Sequence, residues 1–281
     1  MIKNNVYAIL DFDGFVCKSF YANKEDPMNL YAARNILRDL VQAAVEKTAR
    51  YFNCKENFVT VVALMSGHSW KKDIYPSYKR SRKKDEYLGI YREEIKKLSS
   101  VQVVQQLEAD EAIVLLSDYL QDIGHKEFIV FSDDKDLRYY CPVYCKINIT
   151  EEIKEADALE IYSKQLEQMI VGDGEDNIKG IPKVGEKTAP KLLAQYGYDL
   201  KGVIRCFRDK EVDIDNCLRD LLLVIPLEEI YREKTDSTEK VSKSILTKSE
   251  INDYEVMQLI ISQIQYLNNI VKEVYDEIKK G

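Results

Sequence analysis

Short apolar runs alternate with long amphipathic stretches through the first 150 residues of the chain. The predicted β-strands are "VYAILDFDG" at 6–14, "NFVTVVALM" at 57–65, "VQVVQ" at 101–105, "KEFIVF" at 126–131 and "VYCKINI" at 143–149. Between them, residues 29–52 and 108–124 repeat apolar side chains at the spacing of an α-helix. Strands separated by helices predict an α/β fold with a mostly parallel central sheet flanked by helices.

Acidic residues gather at the carboxyl ends of three of these strands. They are Asp11 and Asp13, then Glu108, Asp110 and Glu111, then Asp133, Asp134 and Asp136. Because parallel strands end at the same edge of a sheet, where ligands bind, we expect these side chains to lie close together. Clustered carboxylates raise one another's pKa and destabilise a fold unless cations neutralise them. Oxygen donors alone favour Mg²⁺ or Mn²⁺.

Each acidic group also has a simpler interpretation, since Asp and Glu commonly cap helices. Capping is the favoured interpretation for Asp133. For Asp13, Asp134 and Asp136 together we favour metal binding, because they come from distant segments. Asp11 has two alternatives, a supporting metal ligand or a side chain packed against a basic residue.

A further segment, "GDGEDNIKGIPKVGEKTAPKLL" from residue 172, combines acids with a turn. Asp173 and Asp176 stand three residues apart and are followed by a stretch rich in Gly and Pro between two helical patterns. Gly180 and Gly185 can take conformations that other residues resist. A helical hairpin of this kind points backbone N–H groups toward a phosphate, and the lysines at 183, 187 and 191 add positive charge.

The stretch "WKKDIYPSYKRSRKK" at 70–84, named the basic segment below, concentrates positive charge in a chain whose net charge is -7. A run of charge is usually a solvated face. Here Trp70, Tyr75 and Tyr78 alternate with the cations, an arrangement that favours contact with a nucleic acid. The acidic net charge does not exclude such a partner when basic residues are locally concentrated.

Composition narrows the kind of chemistry. With only two histidines, the chain is a poor candidate for catalysis built on histidine, and its six scattered cysteines are interpreted as reduced core thiols. No apolar run approaches the roughly 20 residues of a membrane span, and the N-terminus shows no cleavage signal. These features predict a cytoplasmic protein.

The motifs "DFDG", "YPSYKRSR", "EADE", "SDDKDL" and "GDGEDNIKGIPKVGEKTA" occur in an order and at a spacing that resemble the structure-specific 5′ nucleases. That family comprises flap endonucleases and 5′-3′ exonucleases of phages and bacteria, including the 5′-nuclease domain of bacterial DNA polymerase I. The resemblance covers about residues 6–200. It implies a PIN-like nuclease domain at 1–170 with a helical arch at about 70–100. A helix-hairpin-helix element and a C-terminal helical region would follow at 171–281.

The resemblance also implies roles for individual residues. Ligands of a first metal ion would be Asp13, Glu108, Asp110, Glu111, Asp134 and Asp136, and ligands of a second would be Asp173 and Asp176, helped by Asp134 and Asp136. Catalytic side chains at the base of the arch would be Tyr78, Lys79 and Arg82, with Lys79 on the scissile phosphate. DNA contacts would come from Lys71, Lys72, Arg80, Lys83, Lys84, Gly180, Gly185, Lys187 and Thr188. Two Mg²⁺ or Mn²⁺ ions are implied, with K⁺ at the hairpin turn.

The implied activity is hydrolysis of DNA phosphodiester bonds at 5′ ends, flaps or RNA primers by a two-metal-ion mechanism, performed by a monomer. Its partner would be DNA with a 5′ flap, a nick or a single-stranded 5′ end, or an RNA–DNA hybrid. One departure stands out, because the family's Asp after the second strand has no counterpart in "VVALMSGHSW". His68 and Asp11 are the candidates to replace it. The alternative function is therefore a branched-DNA-binding protein with impaired catalysis, while a PIN-type ribonuclease is disfavoured by the hairpin turn.

Overall fold

The computed structural model describes residues 5–23, 29–82, 85–134, 137, 141–147, 152–155, 158–224 and 236–276. They form two compact units. The first unit is drawn from residues 1–69, 84–156 and 236–256, and the second from residues 70–83, 157–235 and 257–281. The two units are defined by which residues contact one another, and this does not test whether either folds independently. The domain boundary predicted near residue 170 therefore remains a proposal.

A six-stranded sheet forms the centre of the first unit. Its strands are β1 (Val6–Asp11), β2 (Val59–Ser69), β3 (Val101–Gln106), β4 (Phe128–Phe131), β5 (Val143–Cys145) and β6 (Lys154–Glu155). They lie in the order β3-β2-β1-β4-β5-β6, and every pair is parallel except β5 with β6. The predicted mostly parallel sheet with flanking helices is confirmed. Strand β1 is buried along its whole length, which explains its unbroken apolar sequence.

The helices are α1 (Phe12–Ala22), α2 (Leu30–Tyr51), α3 (Lys71–Ile74), α4 (Glu86–Ile95), α5 (Ala109–Asp122), α6 (Ala158–Val171), α7 (Ala189–Tyr196), α8 (Leu200–Asp209), α9 (Ile214–Val224), α10 (Asp236–Thr247) and α11 (Asp253–Asp276). Helix α1 was not predicted. It begins directly after β1 because Asp11 ends the strand and caps the helix, accepting a hydrogen bond from the backbone N–H of Gly14. None of the helices in the described residues is long and apolar enough to cross a membrane.

The sheet reverses its strand order at β1. Strand β2 lies on one side of β1 and β4 on the other, so the carboxyl ends of β1 and β4 flank a topological switch point. Leu10 of β1 pairs with Phe131 of β4, which sets Asp11 beside Ser132. The apolar cluster beneath includes Phe15 of α1 and Met65 of β2. A packed core thus holds the acidic ends of the strands in fixed positions.

In the second unit, α6 and α7 are joined by residues 172–188, named the hairpin turn below. Gly172 and Gly180 both have positive φ, +74° and +58°. A Cβ atom on Gly172 would lie 2.5 Å from the backbone nitrogen of Gly180, and one on Gly180 would collide with the carbonyl oxygen of Val171. Asp173 and Ile178 form an antiparallel bridge between them. Only glycine fits at these two positions.

Candidate functional site

Asp11 is the centre of the acidic side chains in the first unit. Asp11 is only 9% exposed, and its Oδ2 accepts a hydrogen bond from the hydroxyl of Ser132 at 2.6 Å. Burial raises the pKa of Asp11 to about 6, and the charges of Asp13 and Asp134 add to this rise against the hydrogen bonds from Ser132 and Gly14. The structure therefore brings acids from the ends of β1 and β4 together. Asp11, Asp13 and Asp134 are named the acidic edge below.

Asp13 lies in the first turn of α1 and already has two partners. Its Oδ2 accepts a hydrogen bond from the backbone N–H of Ser66 at 2.9 Å, and its Oδ1 forms an ion pair with Arg92 of α4. Ser66 belongs to the stretch that lacks the family's carboxylate, and its hydroxyl accepts the N–H of Ala109 at 2.8 Å. His68, one of the two candidate replacements, is exposed. The contact with Asp13 is thus made by Ser66 and Arg92.

The acids of "EADE" form the N-terminus of α5. Glu108 is the N-cap, and its backbone N–H donates to Oε2 of Glu111 at 3.0 Å in a reciprocal capping box. Both residues are buried, 6% and 1% exposed. Asp110 accepts the N–H of Glu111 at 2.8 Å. Helix capping therefore uses hydrogen-bonding atoms of Glu108 and Glu111. A metal-binding role for the three acids remains a prediction.

The acids in the loop after β4 have different partners. Asp133 pairs with Lys18 at 2.8 Å and accepts the N–H of Ile147 at 3.1 Å, contacts that differ from the helix cap that was expected of it. The N–H of Asp134 donates to Ser132 at 2.9 Å, and the Tyr144 hydroxyl donates to the carbonyl of Ser132 at 2.6 Å. Burial raises the pKa of Tyr144, which keeps this donor protonated. Asp136 lies outside the described residues.

The acidic edge offers donors that suit a hard divalent ion. In the described part of the chain, no three His, Cys, Asp or Glu side chains already form a metal-binding group. The contacts explain this, because Arg92 holds Asp13 and the hydroxyl of Ser132 holds Asp11. Carboxylate oxygens are nevertheless the ligands that Mg²⁺ and Mn²⁺ prefer, and a buried carboxylate with a raised pKa is stabilised by a cation. A divalent ion that used Asp13 as a ligand would have to displace Arg92 first.

In the second unit, Asp176 gathers the side chains predicted to be catalytic. Its Oδ1 pairs with Arg82, and its Oδ2 lies 3.4 Å from the Tyr78 hydroxyl and 3.7 Å from Nζ of Lys79. Asp173 holds the loop itself, since its Oδ1 accepts the backbone N–H of the next residue but one at 2.8 Å. Lys79 has a φ of +54°, an uncommon conformation for a residue other than glycine that is often found at functional sites.

The rest of the basic segment is divided between buried and exposed residues. Lys71 is 4% exposed, with its Nζ 5.9 Å from the centre of the Tyr78 ring, whereas Lys72 and Arg80 are exposed. Trp70 is buried as well as Tyr78, so neither ring presents a face to a base in this structure. The lysines at 83 and 84 lie outside the described residues.

The end of the hairpin turn, where α7 begins, is exposed. The carbonyl of Gly185 accepts the N–H of Thr188 at 2.8 Å and that of Ala189 at 3.0 Å, while Gly185, Lys187 and Thr188 are exposed. Gly180 is buried. An exposed helix start beside lysines is suited to a phosphate.

Two residues of α9 that sequence reasoning missed support this turn. Burial raises the pKa of the Asp220 carboxylate, and Arg219, which pairs with it at 2.6 Å, and the nearby N–H of Gly180 oppose that rise. The guanidinium carbon of Arg219 also lies 5.1 Å from the centre of the Tyr75 ring. Adjacent opposite charges inside the apolar run "LRDLLLV" were the only available signal.

Similar proteins were found by sequence. A 5′-3′ exonuclease of Mycoplasmopsis pulmonis is 26% identical over 209 residues, covering 69% of this chain and 68% of the relative. The flap endonuclease Xni of Aeromonas hydrophila is 29% identical over 169 residues, covering 54% of this chain and 62% of the relative, a little less than two thirds of that enzyme. No protein-family model matches the chain.

Solved structures share the fold. The 5′-exonuclease of T5 with bound divalent metal ions (zinc) aligns over 87% of this chain with a TM-score of 0.60 at 17% identity. A flap endonuclease of the same phage, in a complex with DNA and metal ions, aligns over 95% with a TM-score of 0.56 at 12% identity. The mostly parallel sheet flanked by helices matches the PIN-like fold of these neighbours. Within it, the chain is a relative of the bacterial 5′-3′ exonucleases and flap endonucleases, which confirms the predicted resemblance.

Proposed function

We propose that the protein is a metal-dependent 5′ nuclease that hydrolyses DNA phosphodiester bonds at 5′ ends, flaps or RNA primers. The observation that carries this proposal is the convergence of Asp11, Asp13 and Asp134 at the switch point of the sheet. The relationship to exonucleases and flap endonucleases supports it. The proposal places the protein in the cytoplasm as a monomer, with flapped, nicked or 5′ single-stranded DNA, or an RNA–DNA hybrid, as its substrate.

The acidic edge is proposed to hold Mg²⁺ or Mn²⁺. Two such ions, when bound, would activate a water and stabilise the leaving oxygen of the phosphodiester. Asp11 would serve as a ligand together with Asp13 and Asp134, and the buried Ser132 hydroxyl would fix its orientation. Glu108, Asp110, Glu111 and Asp136 remain proposed supporting ligands.

Residues of the second unit are proposed to bind the phosphate backbone. Lys79 and Arg82 would face the scissile phosphate, with Asp176 and Tyr78 holding them in place. A second-ion role for Asp173 and Asp176 stays as the alternative implied by the resemblance. The exposed Lys72 and Arg80, and the hairpin turn with Gly180, Gly185, Lys187 and Thr188, would grip the duplex, with K⁺ held by main-chain carbonyls of the turn. Lys71, Lys83 and Lys84 complete the proposed DNA contacts.

The first experiment is cleavage of a 5′-labelled flap duplex with Mg²⁺, with Mn²⁺ and with EDTA. The wild type is compared with Asp11→Asn and with the matched control Asp133→Asn, whose carboxylate at the same edge is already occupied by Lys18. We expect metal-dependent cutting that Asp11→Asn abolishes and Asp133→Asn retains. Cutting that persists in EDTA, or that survives Asp11→Asn, would contradict the proposal.

A second candidate function is recognition of branched DNA without efficient cleavage. It is favoured by one observation, the ion pair between Arg92 and Asp13 beside Ser66, in a stretch that lacks the family's carboxylate. Tight flap binding with no cutting in either metal would select this alternative.

A further inference from the structure

Arg92 is held beside Asp13 by the packing of α4 against α1. The residue before it, Tyr91, is fully buried, and its hydroxyl lies 3.2 Å from that of Ser19. The Tyr91 ring also stacks on Phe20, with 6.1 Å between ring centres. Ser19 and Phe20 both belong to α1. The ion pair is therefore built into the core of the first unit and does not depend on a chance meeting of surface side chains.

A second side chain of α1 lies near the guanidinium. Cys17 stands one helical turn after Asp13. Burial raises the pKa of Cys17, and the positive charge of Arg92 opposes that rise. The guanidinium thus acts on two side chains of α1.

The exposure of the pair indicates that it is more than a surface contact. The side chain of Arg92 is 29% exposed and that of Asp13 is 17% exposed. Ion pairs that are shielded from water are stronger than exposed ones, and a hydrogen bond between two charged groups is stronger than one between neutral groups. An ion approaching Asp13 therefore meets a carboxylate that is already neutralised.

We propose that Arg92 is the resident cation of the acidic edge and sets its affinity for divalent ions. A metal ion that uses Asp13 as a ligand has to displace the guanidinium first. Ser66 contributes a neutral N–H where a further carboxylate would otherwise help the metal to compete. This inference rests on the metal-dependent function proposed above, and it concerns how strongly the edge binds an ion in the absence of any substrate.

The test is a titration with Mn²⁺ followed by electron paramagnetic resonance, without DNA. We expect Arg92→Gln to bind Mn²⁺ about tenfold more tightly than the wild type, a difference of about 1.4 kcal/mol. Arg92→Lys keeps the charge but loses the forked geometry of the guanidinium, so its Mn²⁺ affinity should fall between those of the wild type and Arg92→Gln. The matched control is Arg34→Gln, because Arg34 pairs with Glu94 of the same helix at 2.7 Å without touching the acidic edge. Its Mn²⁺ affinity should equal that of the wild type.

Thermal unfolding provides an independent readout. In EDTA, Arg92→Gln should melt below the wild type because the acidic edge has lost its cation, and saturating Mn²⁺ should raise its Tm more than that of the wild type. If Arg92→Gln does not fold, the same two measurements on Arg92→Lys decide the question.

Equal or weaker Mn²⁺ binding by the Arg92 variants would overturn the inference. The proposed nuclease function would survive that result if the wild type still cuts the flap substrate in Mn²⁺. Absence of Mn²⁺ binding in wild type and variants alike also overturns the inference. If the wild type then fails to cut as well, the proposed function falls with it, so the two failures are distinguishable.

Discussion

Asp13 in the first unit and Asp176 in the second are similar side chains in opposite surroundings. Their side chains are 17% and 14% exposed, and each forms an ion pair with an arginine. Asp13 belongs to a group of three carboxylates, because the charges of Asp13 and Asp134 both act on Asp11, whereas around Asp176 the neighbours are a lysine and a tyrosine hydroxyl. Among these contacts the first group carries a surplus of negative charge and the second a surplus of positive charge. We propose that the first is suited to a cation, and the second to an anion such as a phosphate.

The two groups also differ in how the chain assembles them. The partners of Asp13 come from separate elements, Ser66 at the end of β2 and Arg92 on α4. Among the described residues, the cationic and hydroxyl partners of Asp176 come from residues 78–82. A group gathered from distant elements is as rigid as the core that positions it. A group gathered from one short segment depends on the loop that holds that segment.

The largest expected effect distinguishes the two groups when cleavage and metal binding are both measured. Asp11→Asn should lower both the cleavage rate and the Mn²⁺ affinity. Asp176→Asn should lower the cleavage rate by about 10² to 10³ because Lys79 and Arg82 lose their anchor, while Mn²⁺ affinity stays unchanged. The measurements are flap cleavage under single-turnover conditions and Mn²⁺ titration. If Asp176→Asn weakens Mn²⁺ binding as much as Asp11→Asn does, Asp176 is a metal ligand and the comparison fails.

The next effect tests whether the second unit depends on its backbone turn. Gly180→Ala places a methyl group against the carbonyl of Val171 at a φ of +58°, so we expect a loss of about 3 kcal/mol in the free energy of unfolding and weak duplex binding. Gly185→Ala is the matched control. A Cβ atom at Gly185 meets open space, so that variant should lose less than about 1 kcal/mol. Chemical denaturation and duplex-binding titrations measure both. Equal stability of the two variants would show that the turn rearranges freely.

The sequence predicted the sheet and much of its acidic edge, because strand ends and acid positions are local patterns. It underestimated Asp11. The strand was expected to continue through "DFDG", whereas the chain turns into α1 at Phe12, which leaves Asp11 as both cap and buried centre. Arg92 gave no signal, since an arginine in "YREEIKK" has the pattern of a solvated helix face. Only the packing of Tyr91 on α1 shows where that arginine lies.

The stretch that lacks the family's carboxylate shows the same limit of prediction from sequence. Met65 occupies the predicted stretch but is fully buried in the apolar core, so an aspartate there would be a buried charge. The next residue, Ser66, contacts Asp13 through its backbone N–H, while its hydroxyl accepts the N–H of Ala109. The pairing of β2 with β3 also shifts register between Ser66 and Ser69. Such a shift depends on the partner strand and is not visible in one segment.

A smaller effect follows from that position. Ser66→Asp adds a carboxylate at the residue whose backbone N–H contacts Asp13, and it should tighten Mn²⁺ binding by roughly tenfold, because a further anionic ligand helps the metal ion to displace Arg92. The matched control His68→Asp adds the same charge at an exposed residue of the same strand and should leave the affinity unchanged. Isothermal titration with Mn²⁺ compares them. Equal tightening in both variants would mean that general electrostatic attraction, and not ligation, sets the affinity.

The smallest expected effect concerns the positive group around Asp176. If Arg82 contacts a DNA phosphate, Arg82→Gln should reduce the slope of log affinity against log salt by about 1 and weaken binding at low salt severalfold. Lys201→Gln serves as the control, because this lysine of the same unit pairs with Glu273 at 2.7 Å. Fluorescence anisotropy of a flap duplex over a range of KCl concentrations gives the slopes. An unchanged slope for Arg82→Gln would mean that Arg82 serves only to neutralise Asp176, and the positive surplus of this group would then reduce to Lys79 alone.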